Sequence, residues 1–199
     1  MTNTLSLPDN LTQRLAHLQG TPKEEFELEN GASFQEYKPA AVLLPLLFRD
    51  AEWHLLYTRR VDGLMNHGGQ VSFPGGGWEP GDADLTATAL REAWEEVGIR
   101  PQDVQVLGAM QPMALITRFV VTPVVGKISW PYPIKVFDGE VARVFTVPLS
   151  WLANPANFYS TTMFFEGKSY EVSYYQLYDG EKIWGATAKI TQDFLHLLL

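Results

Sequence analysis

The chain has 199 residues, a length that fits one domain with extensions better than two full domains. Apolar residues make up 46% of it and aromatic residues 13%, which excludes a largely disordered chain. The formal net charge of −8 argues against a non-specific nucleic-acid surface, and the absence of cysteine excludes disulfides, thiolate nucleophiles and cysteine-bound zinc.

The first residues, "MTNTLSLPDNL", lack the basic region and apolar stretch of a secretory signal. The longest apolar run, "PAAVLLPLLF", is about half as long as a membrane span. We therefore expect a cytoplasmic protein whose partners include neither a membrane nor a nucleic acid.

The N-terminal segment "LPDNLTQRLAHL" predicts a short amphipathic helix. Asp9 or Asn10 can cap it, and Leu11, Leu15 and Leu18 recur at spacings of four and three. We expect residues 1–30 to form a helical extension and residues 31–199 to form the main domain.

The rest of the chain predicts a mixed sheet with a few helices, an α+β fold. Residues 39–60 contain two apolar runs around the polar turn "RDAE", a pattern typical of a β-hairpin. Further strands are predicted at "VQVLGAMQPM", "RFVVTPVVGKI" and "EVARVFTVPL". A second hairpin is expected at "FYSTTMFFEGKSYEVSYYQLY", with its turn at residues 166–168, before a closing helix at "WGATAKITQDFLHLLL".

A helix is predicted over residues 84–97, because "LTATALREAWEEV" is rich in Ala, Leu and Glu and lacks Pro and Gly. Asp82 or Asp84 can cap its start, and Gly98 fits the left-handed residue that ends it. The sequence therefore sets both ends of this helix.

The helix places three carboxylates within an arc of about 100°. They are Glu92, Glu95 and Glu96, while Leu90, Ala93, Trp94 and Val97 are expected on the opposite, core-facing side. Charged helix faces often only face water, and that interpretation stays open. Three carboxylates near a glycine turn also suit a hard cation such as Mg²⁺ or Mn²⁺, which takes oxygen ligands.

The segment "REAWEEVGI" resembles the second half of the Nudix box. That pattern is Gly, five residues, Glu, seven residues, then Arg-Glu-apolar-x-Glu-Glu-x-Gly-apolar. The resemblance implies a Nudix-type α/β/α sandwich with a mixed sheet and a loop-helix-loop. It also implies that Mg²⁺ or Mn²⁺ is held by Glu92, Glu95, Glu96 and the carbonyl of Gly76, and that Arg91 orients the carboxylates.

The first half of the box departs from the pattern. Counted from Gly76, the acidic position falls on Asp82, but eight residues rather than seven then precede Arg91. Counted from Gly77, the spacing is regular and Ala83 stands where the pattern has Glu. We prefer a one-residue insertion with Asp82 as the acidic residue, and the role of Asp82 stays open.

Residues 56–76, "LYTRRVDGLMNHGGQVSFPGG", resemble the segment that marks the coenzyme A pyrophosphatase branch of the family. Thr58, Arg60, Gly69 and residues 73–76 match, whereas Met65 stands where the branch has Arg. The resemblance implies a substrate-binding set of Arg59, Arg60, His67, Phe73 and Gly75. A surface arginine and an ordinary glycine turn are the alternatives.

Glu140 is a candidate for a further catalytic carboxylate, by resemblance to an "EV…F.VPL" element outside the box. A solvated loop glutamate is the alternative. The predicted catalytic set is thus Glu92, Glu95, Glu96, Arg91 and Glu140.

Taken together, these resemblances imply metal-dependent hydrolysis of the diphosphate linkage of coenzyme A or a derivative. The products would be 4′-phosphopantetheine and adenosine 3′,5′-bisphosphate. A pyrophosphatase for ADP-ribose, dinucleotides or nucleotide sugars is the alternative, followed by a non-catalytic nucleotide-binding module. We expect a small nucleotide substrate as the partner, and the sequence leaves a homodimer open.

Overall fold

The computed structural model describes residues 7–19, 37–63, 68–137, 139–165 and 167–198. The helices are α1 (Leu11–Gln19), α2 (Leu85–Val97), α3 (Leu149–Leu152) and α4 (Gly185–Leu198), with 3₁₀ turns at Pro101–Asp103 and Pro155–Asn157. The strands are β1 (Lys38–Arg49), β2 (Glu52–Arg60), β3 (Val71–Ser72), β4 (Gly75–Gly77), β5 (Gln105–Ala109), β6 (Met113–Ala114), β7 (Phe119–Lys127), β8 (Val141–Pro148), β9 (Phe158–Phe165) and β10 (Lys168–Tyr175).

A mixed sheet is built around β1, which pairs in parallel with β7 and antiparallel with β2. The β1–β2 hairpin is confirmed, and Asp50 and Ala51 take left-handed backbone conformations at its turn. On the outer sides, β8 pairs with β2, and both β5 and β6 pair with β7. The single strand predicted at "VQVLGAMQPM" is therefore two short strands.

The two strands of the hairpin pair with each other only near their turn, where Leu46 lies opposite Leu55. Farther along, β4 pairs with β1 at residues 40–42, and β3 pairs with β2 at Thr58 and Arg59. Residues 71–77 thus fill the space between two diverging strands. This insertion holds the glycine run of β4 at one end of the sheet.

Helices cover both faces of the sheet, which confirms the expected sandwich. Along β1, Leu44 and Leu46 pack into the core beneath α1, α3 and α4, whereas Leu43 and Leu47 pack into the core beneath α2. Burial on both faces explains why β1 reads as an almost continuous apolar run.

Helix α2 begins and ends where the sequence predicts. The Asp84 side chain accepts a hydrogen bond from the backbone N–H of Ala87 at 2.8 Å, and Gly98 ends the helix at φ 71°. The prediction for Trp94 is wrong, since this side chain is 42% exposed. The buried face of α2 contains Ala93 and Val97. It extends toward Glu96 and leaves Trp94 outside.

Helix α1 is confirmed and packs into the core of the main domain. Leu11 and Leu15 are buried, and the Leu15 Cβ lies so close to Gly108 that a methyl group there would be 2.7 Å away. Arg14 donates to the backbone carbonyl of Leu197 at 2.7 Å. The predicted boundary at residue 30 lies outside the described residues.

The second hairpin is confirmed as β9 and β10, although Glu166 of its predicted turn lies outside the described residues. In the described part of the chain, no helix is long and apolar enough to span a membrane.

Candidate active site

The glycine run of β4 lies directly against the carboxylates of α2. A methyl group added at Gly76 would overlap Glu92 Oε1 and lie 2.6 Å from Glu92 Cδ, so any side chain there would force this carboxylate to move. The neighbouring Gly77 has free space at the same point of its backbone. Of these two neighbouring glycines, only Gly76 lies against the Glu92 carboxylate.

Arg91 holds two of the three carboxylates. Its Nη1 donates to Glu92 Oε1 and to Glu95 Oε2, both at 2.9 Å. Its Nη2 also donates to the backbone carbonyl of Gly77 at 3.0 Å, which ties the helix to β4. This geometry agrees with the orienting role that the resemblance implies for Arg91.

Asp82 anchors the other side of the same guanidinium. Arg91 Nε donates to Asp82 Oδ1 at 2.9 Å and Nη2 donates to Oδ2 at 3.0 Å, a two-point contact typical of strong Arg–carboxylate pairs. The hydrogen bonds from Arg91 hold the pKa of Asp82 well below its usual range. Thr88 Oγ1 donates to the same carboxylate at 2.9 Å. Asp82 is thus the acidic partner of Arg91, although one extra residue separates the two in the sequence.

Glu96 is the buried member of the carboxylate set, with a side chain only 5% exposed. The Gly75 backbone N–H donates to Glu96 Oε2 at 3.3 Å, and Arg60 Nη1 lies 3.7 Å from Glu96 Oε1. Burial raises the pKa of Glu96 to about 8, and the Arg60 charge offsets only part of this effect. Burial also raises the pKa of Glu92. Both carboxylates thus lie in surroundings that disfavour their charged form.

Glu140 lies in the turn that precedes β8. Its backbone carbonyl accepts a hydrogen bond from Val61 N at 2.9 Å, just beyond the end of β2. The negative charge of Glu140 contributes to the raised pKa values of both Glu92 and Glu96. The fold therefore brings Glu140 to the carboxylates of α2 from a separate element.

Arg59 and Arg60 point to opposite faces of β2, as successive strand residues do. Arg60 faces Glu96, and its buried Nε has no hydrogen-bond partner among the described residues. Arg59 pairs with Asp62 at 2.5 Å and with Glu181 at 3.5 Å. Of these two arginines, the structure thus places only Arg60 beside the carboxylates.

Two predicted substrate-binding residues, Phe73 and Gly75, make packing contacts within the protein. Phe73 is 2% exposed and stacks on Tyr57 at 4.7 Å in the core opposite α2, so its ring does not face the carboxylates. A methyl group at Gly75 would lie 2.6 Å from the Cα of Val42, so this glycine allows β4 to pack on β1. His67 lies outside the described residues.

In the described part of the chain, no group of three or more His, Asp or Glu side chains is arranged to hold a metal ion. Arg91 contacts two of the expected ligands, and Glu96 is turned toward Gly75 and Arg60. The donor set itself fits a hard cation, because it consists of carboxylate and backbone oxygens. The Glu92 carboxylate also lies close to the backbone of Gly76.

The contact of Glu181 with Arg59 is not predicted by the sequence, which also leaves the partner of Asp82 open. Glu181 also accepts from Arg143 Nη1 at 3.0 Å, so it joins β2 and β8. No local pattern could show this contact, because Glu181 lies far along the chain from both arginines. Asp82 could have been assigned, since an acidic residue is required opposite Arg91.

The sequence matches the model of the NUDIX domain family over residues 37–163. Proteins called "Uncharacterized Nudix hydrolase NudL" from Salmonella paratyphi B and Salmonella newport are 41% identical to the chain over 158 residues, covering 78% of it and 80% of each relative.

Among solved structures, the chain is similar to the Nudix hydrolase RenU from M. smegmatis, with a TM-score of 0.51 and 23% identity over 63% of this chain and 80% of that one. It is also similar to a MutT/nudix family protein from Enterococcus faecalis, with a TM-score of 0.52 and 12% identity over 93% of this chain and 72% of that one. At these identities the two structures support the fold alone.

Proposed function

Because the chain belongs to the Nudix family and is a pyrophosphohydrolase, we propose that it cleaves the diphosphate linkage of coenzyme A or an acyl derivative. The products would be 4′-phosphopantetheine and adenosine 3′,5′-bisphosphate. The observation that carries the proposal is the likeness of residues 56–76 to the coenzyme A branch of the family, at Thr58, Arg60, Gly69 and residues 73–76.

The position of this segment supports the proposal. Arg60 ends β2 beside Glu96, and the backbone of Gly75 donates to the same carboxylate. The segment that resembles the coenzyme A branch thus forms one wall of the carboxylate cluster. Residues there can select a substrate while the residues of α2 act on its diphosphate.

We infer that Mg²⁺ or Mn²⁺ would be held by Glu92, Glu95, Glu96 and the backbone carbonyl of Gly76. When bound, such a cation would neutralise negative charge on the diphosphate. Arg91 keeps Glu92 and Glu95 turned toward one another, and Asp82 fixes the position of Arg91. Arg91 therefore orients two of the expected carboxylate ligands.

Hydrolysis also requires a group that accepts a proton from the attacking water. We assign this role to Glu140, which reaches the carboxylates from outside α2. A glutamate of the box is the alternative. Attack forms a new bond from the water oxygen to phosphorus, and the bridging oxygen leaves with the second phosphate.

Met65 favours a second candidate function, because it stands where the coenzyme A branch has Arg. Without that arginine, recognition of the 3′-phosphate would be weaker. A pyrophosphatase for ADP-ribose, dinucleotides or nucleotide sugars, whose substrates lack such a phosphate in most cases, would not need it.

The test is a comparison of kcat/KM for coenzyme A, its 3′-dephospho form, ADP-ribose and NADH, with the products identified by mass spectrometry. We expect coenzyme A to exceed its dephospho form by at least about tenfold, the scale of one charged contact. The Arg59→Ala and Arg60→Ala variants show which arginine recognises the 3′-phosphate, since the preference disappears in that variant. A preference for ADP-ribose would overturn the coenzyme A assignment.

A further inference from the structure

An exposed aromatic pair lies on the outer side of α2. The ring centroids of Trp94 and Phe137 are 6.4 Å apart with an interplanar angle of 65°, an edge-to-face contact. Both side chains remain more than 40% exposed. The contact therefore buries little apolar area, but it restrains the segment that carries Phe137.

The segment that carries Phe137 runs alongside the last turn of α2. Lys135 N donates to the carbonyl of Val97 at 3.1 Å, and Phe137 N donates to the carbonyl of Glu96 at 3.3 Å. These carbonyls belong to the last turn of the helix, where no further helical N–H is available to pair with them. The segment is thus attached to the backbone of Glu96, one of the site carboxylates.

Glu140 follows three residues after Phe137 and is held on its other side by β2. Val61 N donates to the carbonyl of Glu140, and Val141 pairs with Arg60 in the sheet. The backbone of Glu140 is therefore fixed to β2, and the chain connects it within three residues to the segment that is attached to α2. The Trp94–Phe137 contact is the side-chain part of the attachment on α2.

We propose that Trp94 and Phe137 are positioning residues that hold Glu140 at the carboxylates of α2. The proposal rests on the proposed function, in which Glu140 accepts the proton from the attacking water. Trp94 itself is turned away from the site, so it acts through Phe137 and the turn that follows. Loss of the contact leaves the ligands in place and lets Glu140 move away from them.

The test measures kcat, KM and Mg²⁺ dependence for Trp94→Ala and Phe137→Ala with whichever of coenzyme A and ADP-ribose is hydrolysed faster. We expect kcat to fall roughly three- to tenfold, the effect of losing one aromatic contact, while KM and the Mg²⁺ midpoint change less than about twofold. Trp94→Phe should restore most of the kcat. An unchanged kcat in both alanine variants would overturn the proposal.

The Glu140→Gln background shows whether the pair acts through Glu140. Adding Trp94→Ala to Glu140→Gln should cause no further loss of kcat, because the group being positioned is already disabled. An equal loss in both backgrounds would overturn the positioning role. If Glu140→Gln alone retains full kcat, the assignment of Glu140 in the proposed function fails, and this result is distinct from a failure of the aromatic pair.

Phe48→Ala is the matched control. Phe48 and Trp53 form a similar edge-to-face pair, at 5.3 Å and 67°, beside the turn of the β1–β2 hairpin. Phe48 is also about half exposed. Its loss should leave kcat unchanged, so a reduction equal to that of Trp94→Ala would show a general effect of removing surface aromatic residues and would overturn the proposal.

Discussion

Asp82 and Arg91 form a two-point ion pair across the eight residues that separate them, one more than the family pattern has. The two contacts measure 2.9 and 3.0 Å, and the Asp82 side chain is nearly buried beneath the guanidinium. Because Arg91 in turn contacts Glu92 and Glu95, the position of both carboxylates depends on a residue that contacts neither of them.

Asp82→Ala should therefore reduce turnover by about 10- to 100-fold and weaken Mg²⁺ binding, as loss of a group that orients metal ligands does. Without Asp82, the guanidinium of Arg91 can move together with Glu92 and Glu95, so it no longer fixes their positions. Steady-state kinetics and a Mg²⁺ titration by calorimetry measure the two effects.

Asp84→Ala is the control for this variant. It removes the N-terminal cap of α2, which costs about 1 kcal/mol of stability, but it leaves Arg91 and its partners in place. The melting temperature should fall while Mg²⁺ affinity is retained. Wild-type Mg²⁺ affinity in Asp82→Ala would contradict the role assigned to Asp82.

Gly76→Ala should lower Mg²⁺-dependent hydrolysis, because the added methyl group would displace the Glu92 carboxylate from its position beside β4. Gly77→Ala provides the comparison, since a methyl group there meets no atom within 4 Å. Activity and circular dichroism should be measured for both variants. Equal activity of the two would show that the approach of Glu92 to Gly76 is not needed.

Glu96→Gln should raise thermal stability in the absence of metal while reducing turnover by at least about a thousandfold. The folded-state pKa of about 8 lies above the usual 4.5, so the folded wild type retains a proton that the unfolded chain releases between these values. Wild-type stability therefore falls as pH rises from 4.5 toward 8, and the glutamine variant avoids this loss.

The measurement is the melting temperature of both proteins in a chelator between pH 5 and 8. The advantage of Glu96→Gln should grow with pH and shrink when Mg²⁺ is added. Glu95→Gln should reduce turnover on a similar scale without a comparable gain in stability, because Glu95 is 54% exposed. A melting temperature of Glu96→Gln below that of the wild type at pH 8 would argue against a costly buried charge.

Glu140→Gln should reduce kcat while leaving the Mg²⁺ affinity close to that of the wild type. A proton acceptor acts on the attacking water, whereas a ligand acts on the cation, so calorimetry distinguishes the two roles. A large loss of Mg²⁺ binding would place Glu140 among the ligands instead.

Local features of the fold could be predicted from sequence, because the forces that set them act within a few residues. The cap at Asp84, the end of α2 at Gly98 and the hairpin turn at Asp50 are of this kind. The insertion of β3 and β4 between diverging strands could not be predicted, since it depends on pairing between distant segments.

The candidate site shows the same division. The three box glutamates and Arg91 lie on one helix, so their spacing predicts that they share a region. The burial of Phe73 in the core opposite α2 could not be predicted, because a resemblance of sequence does not state which way a side chain points. The core-facing position predicted for Trp94 is wrong, because the helical period fixes the angle between residues but leaves open which side of the helix meets the sheet.

The packing of α1 and α4 sets a minimum length for any recombinant fragment. The family match spans residues 37–163, yet Leu15 of α1 and Phe194 of α4 are fully buried in the core beside β1. A fragment cut to the matched region would expose the apolar side of the sheet that these helices cover, and we expect it to aggregate on expression. Fragments used for crystallisation or binding assays should retain residues 7–198, even though both helices lie outside the recognised motif.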